Sequence, residues 1–80
     1  MEEPAYRSAY DELDAEFELA RTLIEVRSRV GLTQEELARR MNMSRSVVVR
    51  MEGGHVRPST KTLQRFAMAT GTRLKIYFES

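Results

Sequence analysis

Arg45, Ser46, Val49 and Arg50 sit close together near the middle of the chain, and their side chains have the most specific chemistry to offer. A guanidinium is a planar fork of donors that matches O6 and N7 of guanine. A hydroxyl bonds to several base edges, and a valine methyl can lie against the methyl of thymine. On a helix these four residues fall to one side, while Val48 and Met51 fall to the other, with Val47 partly buried beside them. Arg45 and Arg50 on an isolated helix would be a solvated face, and a single exposed Val49 is ordinary protein surface. A second set offers phosphate chemistry. Gln34 and the backbone N–H groups around it stand at the positive end of a second helix, and Ser44 stands at the start of the next. Such contacts place a protein on a duplex without reading its sequence, and they weaken with salt.

The elements that position these groups are marked by their ends. Thr33-Gln34-Glu35-Glu36 is a capping box, in which the Thr33 hydroxyl and the Glu36 carboxylate each take the other residue's N–H. The helix it opens carries Leu37, Ala38 and Met41, and Asn42 is the residue best able to turn the chain through a left-handed conformation. Ser44 then caps the segment that Gly53-Gly54 closes. Three consecutive β-branched residues, Val47-Val48-Val49, favour a strand by local preference; the capped ends favour a helix, with packing overriding that preference. Pro58-Ser59 opens a further helix with Leu63, Phe66 and Ala67 inward, and Gly71 ends it. Upstream, Tyr6, Tyr10, Leu13, Phe17, Ala20 and Ile24 recur at steps of three and four, one apolar stripe of a long helix stopping at Gly31. Met41, Met43, Met51 and Met68 read as core fillers.

The tail departs from this grammar. Leu74, Ile76 and Phe78 alternate with Arg73, Lys75 and Tyr77, a period-two pattern that reads as a strand. A lone strand leaves its backbone unpaired, so the expectation is pairing with the same strand of a second copy about a two-fold axis, a frayed tail being the alternative. The expected fold is therefore all-α: a bundle of four to five helices with a C-terminal β-strand that pairs across a homodimer. Its expected parts are an acidic helical extension over 1–22, a helix-turn-helix domain over 23–71 and a dimerisation strand over 72–80.

Charge divides the chain in the same way. The formal net charge of +1 hides a balance of −6 in residues 1–20 and +7 in residues 21–80. That asymmetry suits a basic nucleic-acid face joined to an acidic arm of another purpose. With no Cys and one His, a thiolate zinc site, a cysteine nucleophile and a cluster of imidazoles are excluded, and no glycine-rich phosphate loop is present. The acids gather on one helix without a facing wall, so neither a catalytic cleft, a metal nor a cofactor is expected. The longest apolar run is Val47-Val48-Val49, so a soluble, cytoplasmic protein is expected.

Gly31-Leu32-Thr33-Gln34-Glu35-Glu36-Leu37-Ala38, followed by residues 44–54 and by Pro58-Ser59 and Leu63, resembles the Xre/Cro family of phage-repressor-like DNA-binding domains over roughly residues 23–71. The flanks, residues 16–21 and 70–78, look like those of HigA-type antitoxins. The resemblance implies base readout by Arg45, Ser46, Val49 and Arg50, and phosphate contacts from Gln34, Ser44, His55, Arg57 and Lys61; His55 is equally compatible with a plain loop position. It also implies an ion pair between Arg27 and Glu52, and a prokaryotic setting. Asn42 stands where the family usually carries Gly, a position Asn tolerates.

The expected function is a sequence-specific DNA-binding antitoxin that binds a palindromic operator of double-stranded DNA as a homodimer and neutralises a basic RelE/HigB-like, mRNA-cleaving toxin. The alternative is a free-standing Xre-type repressor. Glu2, Glu3, Asp11, Glu12 and Asp14 are the candidate toxin-facing residues; as a solvated face they would equally serve to neutralise a basic protein.

Overall fold

Among the described residues, 4–78, a computed structural model has four helices: α1 (Pro4–Val30), α2 (Gln34–Met41), α3 (Arg45–Glu52) and α4 (Thr60–Thr70). Each boundary has a local cause. Gly31, at φ 87°, lets the chain leave α1, with its N–H bonding to the Arg27 carbonyl at 3.0 Å. The capping box of α2 is complete: Glu36 N donates to Thr33 Oγ1 at 3.0 Å and Thr33 N to Glu36 Oε1 at 2.9 Å. The backbone N–H of Thr33 holds the Glu36 carboxyl below the usual glutamate range. Asn42 takes the left-handed conformation at φ 59° and ψ 44°, and so reverses the chain between α2 and α3. Ser59 caps α4 by accepting from Thr62 N at 3.1 Å.

α2 packs on α3 and α4, and α1 lies across α3 and α4. The core between them holds Leu23 of α1, Leu32, then Leu37, Ala38 and Met41 of α2, Val48 and Met51 of α3, and Phe66 and Ala69 of α4. Leu37, Met41 and Val48 are fully enclosed. Val47, Val48 and Val49 are helical despite their β-branched side chains. Burying Val48 and Met51 in the shared core outweighs a propensity deficit of only tenths of a kcal/mol per residue. Ala38 is buried in α2, which packs on both α3 and α4.

Three expectations need correction. Residues 72–78 form no strand. Alternation records side-chain preference, but a strand exists only as one side of a ladder, and the four helices offer no sheet edge. Leu74 is half-buried, whereas Ile76 and Phe78 stand in solvent, Phe78 98% exposed. Met68 is no core filler: it is 84% exposed, because α4 turns Phe66, Ala67, Ala69 and Thr70 inward and Met68 falls between them on the outer side. On α1, Phe17 and Ile24 are exposed and the inward line is Leu19, Ala20, Leu23 and Val26, turned about one residue from the expected stripe.

Candidate nucleic-acid interface

α3 presents its two sides as its spacing dictates. Val48 and Met51 are buried and Val47 is half-buried, while Arg45, Ser46, Val49 and Arg50 face solvent, with Val49 42% exposed. The structure brings the four proposed base readers to one outer surface.

That surface is fixed to the scaffold by Glu52 at the last turn of α3. Its carboxylate accepts from Arg27 Nε at 2.6 Å and Nη2 at 3.1 Å, the paired-fork geometry that makes guanidinium–carboxylate contacts strong. Arg27 Nη1 reaches on to the Leu32 carbonyl at 2.9 Å. The Glu52 side chain is 5% exposed, so its charge is largely removed from water and depends on these donors. The hydrogen bond to Glu52 raises the already high pKa of Arg27, against the opposing effect of burial.

A third donor joins them. Gln34 Nε2 donates to Glu52 Oε1 at 2.9 Å. The Gln34 side chain, read as a phosphate contact, is thus engaged within the protein, and α1, the start of α2 and the end of α3 meet at one carboxylate. Arg27, Thr33, Gln34, Glu35 and Arg45 line an open hollow beside it, at the N-terminus of α2. Ser44 does not cap α3 through its side chain; its hydroxyl and that of Ser46 share a hydrogen bond at 3.0 Å, both exposed.

Beyond α3, His55 and Lys61 are exposed. Arg57 is exposed too, but Arg57 Nε donates to Glu16 Oε2, so a residue of the acidic helix reaches a proposed phosphate contact. Neither the Gln34–Glu52 nor the Glu16–Arg57 contact was expected from the sequence. A row of acids ahead of a basic motif hints at the second; the first has no sequence signal beyond the proximity of Gln34 to the cap. Glu2 and Glu3 lie outside the described residues, as do the side chains of Asp11, Glu12 and Asp14. Among the described residues no group of His, Cys, Asp and Glu gathers where a metal could sit, and no helix is long and apolar enough to cross a membrane.

A capped helix, a left-handed turn and a second helix whose outer face carries arginines match a known family over residues 18–74, described as a helix-turn-helix domain. The chain belongs to that family. An uncharacterized HTH-type transcriptional regulator of Methanothermobacter thermautotrophicus is 46% identical over 52 residues, covering 64% of this chain and 75% of that protein. Antitoxin HigA1 of Mycobacterium tuberculosis is 30% identical over 77 residues, covering 96% of this chain and 52% of that protein, so the chain spans about half of HigA1. Among solved structures, the restriction-modification controller protein C.AhdI from Aeromonas hydrophila is similar with a TM-score of 0.75 and 28% identity, over 79% of this chain and 91% of that one. The expected Xre-type helix-turn-helix is thus found, without the expected strand.

Proposed function

We propose that this chain binds double-stranded operator DNA as a homodimer and also acts as an antitoxin against a basic RelE/HigB-like toxin. The observation that carries the DNA reading is the outward row Arg45, Ser46, Val49 and Arg50 on a helix whose far end is held by three donors on Glu52. A base-reading helix must not pivot, because hydrogen bonds to base edges tolerate little displacement. The open hollow at the start of α2, with the helix dipole and Arg45 on its wall, suits a phosphate oxygen. Lys61, Ser44 and His55 extend the phosphate track, and Arg57 lies on it.

Homodimerisation is supported by surface left open on the outer side of α4, where Met68 is exposed next to Leu74 along a shared hollow. A two-fold pair would set two copies of α3 about 34–36 Å apart, one turn of the duplex. The antitoxin part is supported by the likeness to HigA1, which runs through the acidic arm as well as the domain. The free-standing regulator remains the second reading, favoured by the higher identity to the HTH-type transcriptional regulator of Methanothermobacter thermautotrophicus, over 52 residues. A DNA-binding regulator of this kind works in the cytoplasm.

Binding to DNA from upstream of its own gene, against duplex of random sequence, tests the first part; equal affinity for both overturns base readout. Affinity capture from the native cell tests the second: a stoichiometric basic partner encoded beside this gene supports the antitoxin, and recovery of the chain without one favours the free-standing regulator.

A further inference from the structure

Two consecutive residues of α1 grip the segment that joins α3 to α4. The Phe17 ring lies against Gly54, so close that a Cβ added there would meet it at 3.3 Å. Its neighbour Glu16 accepts from Arg57 Nε. The two side chains of that pair are unequally placed: Glu16 is 24% exposed and Arg57 68%. A half-sheltered carboxylate, with Leu19, Val56 and Pro58 on the walls of the same groove, needs a cation more than the solvated guanidinium needs an anion. On its other side the segment at residues 56–58 lines a second groove together with Arg50, one of the base readers. Arg57 therefore stands between the acidic arm and the surface proposed to meet DNA.

We propose that Glu16 is a latch on Arg57: an internal carboxylate that competes with DNA phosphate for this guanidinium and holds DNA binding below what the basic surface could reach. The proposal rests on the DNA reading above and adds its regulation. Phosphate and carboxylate seek the same donors, so a phosphate contact at Arg57 either displaces Glu16 or forms beside its negative charge, and both weaken it. Glu16 lies within the continuous helix α1, ahead of the helix-turn-helix. A basic partner that drew Glu16 away would lessen the competition for Arg57 and tighten binding, which makes the arm a place where protein partner and DNA are coupled with positive sign.

The test is a salt titration of DNA affinity by fluorescence anisotropy, using labelled duplex from upstream of the gene and labelled duplex of random sequence. Glu16→Gln and Glu16→Ala keep α1 helical and remove the charge. Each is expected to bind both duplexes about two- to fivefold more tightly than the parent, the range of an exposed ion pair. The dependence of log affinity on log salt should steepen by about 0.9, one phosphate's worth. In an Arg57→Gln background both gains should vanish. Glu16 variants that match the parent in affinity and slope overturn the latch while leaving the DNA reading intact. Gains that persist undiminished without Arg57 also overturn it, because general charge repulsion would then carry them. A parent that binds neither duplex overturns the DNA reading and the latch with it.

Discussion

Glu52 takes both Nε and Nη2 of Arg27, at 2.6 and 3.1 Å, and through that contact the end of α3 is tied to α1. Because Glu52 is almost wholly enclosed, removing Arg27 strands a carboxylate rather than merely deleting a contact. Arg27→Ala and Glu52→Ala are each expected to cost about 3–5 kcal/mol, and the double variant less than the sum. Thermal denaturation checks this; single variants melting within a few degrees of the parent would contradict it. Gln34→Ala, which removes a neutral donor to a charged acceptor, should cost about 1.5–3 kcal/mol and should lose that cost when Glu52 is already Ala.

The cap of α2 gives a pH-dependent counterpart. Thr33→Ala removes one half of the box and is expected to cost about 1 kcal/mol. The Thr33 N–H lowers the Glu36 pKa, so its folded value lies below its unfolded one. The stabilisation is then fully present above the ordinary glutamate value of about 4.3 and is lost as pH falls through the folded value. Glu36→Gln keeps an acceptor but not the charge, so it should lose this pH-dependent part of the stability near neutrality and flatten the acid limb in urea melts between neutral and acid pH. A limb identical to the parent's would sink the assignment.

Gly54 and Gly71 have similar backbones, φ 75° and φ 70°, in different surroundings. A Cβ on Gly71 meets nothing within 4 Å, whereas one on Gly54 meets the Phe17 ring at 3.3 Å. Gly71→Ala should therefore cost about 1 kcal/mol of left-handed strain, and Gly54→Ala more. In a Phe17→Ala background the two costs should converge. Equal costs in the parent would mean that the ring moves aside freely and that α1 does not grip this segment.

What could be read from the chain was what is local. A capping box, a left-handed Asn42 and the glycines after α1 and α4 act within a few residues of themselves, so their types and spacing carried the helix boundaries. The two sides of α3 followed from the period of a helix once its ends were set. The contacts that bind the site together are not local. Glu52 draws donors from residues 18 and 25 positions away, and Glu16 meets Arg57 across 41 positions, through side chains whose reach no spacing rule encodes. The tail shows the opposite failure: the alternation of Leu74, Ile76 and Phe78 is genuine, but a strand is a property of two segments, and the described residues offer no second one. Met68 was misplaced for a similar reason, since an apolar side chain on a helix says nothing of which neighbours that helix meets.

Base readers and phosphate contacts should separate in solution. Arg45→Ala and Arg50→Ala are expected to cut the preference for the upstream duplex over random sequence by about 1–3 kcal/mol for each arginine that holds a guanine. Lys61→Ala should instead weaken both duplexes alike and lower the salt slope by about 0.9. Anisotropy on the two duplexes at several salt concentrations resolves the pattern. If Arg45→Ala and Arg50→Ala shift both affinities equally, α3 contacts only the backbone, and the outward row has another use.

The acidic arm makes the last prediction, and it concerns rate. Surface charges facing a basic partner act mainly on encounter, so reversing them should slow association more than it speeds dissociation. Glu12→Lys together with Asp14→Lys should lower the association rate with a co-purified basic toxin by about tenfold or more at low salt. The gap between variant and parent should narrow as salt rises, because exposed charges are screened within about 8–10 Å at physiological ionic strength. These positions precede the helix-turn-helix, so the variant's melting temperature should stay close to the parent's. Stopped-flow or surface-based kinetics at two salt concentrations decides the matter. If the association rate is unchanged at low salt, the arm is a solvated face, and a toxin must seat on another surface of the helices.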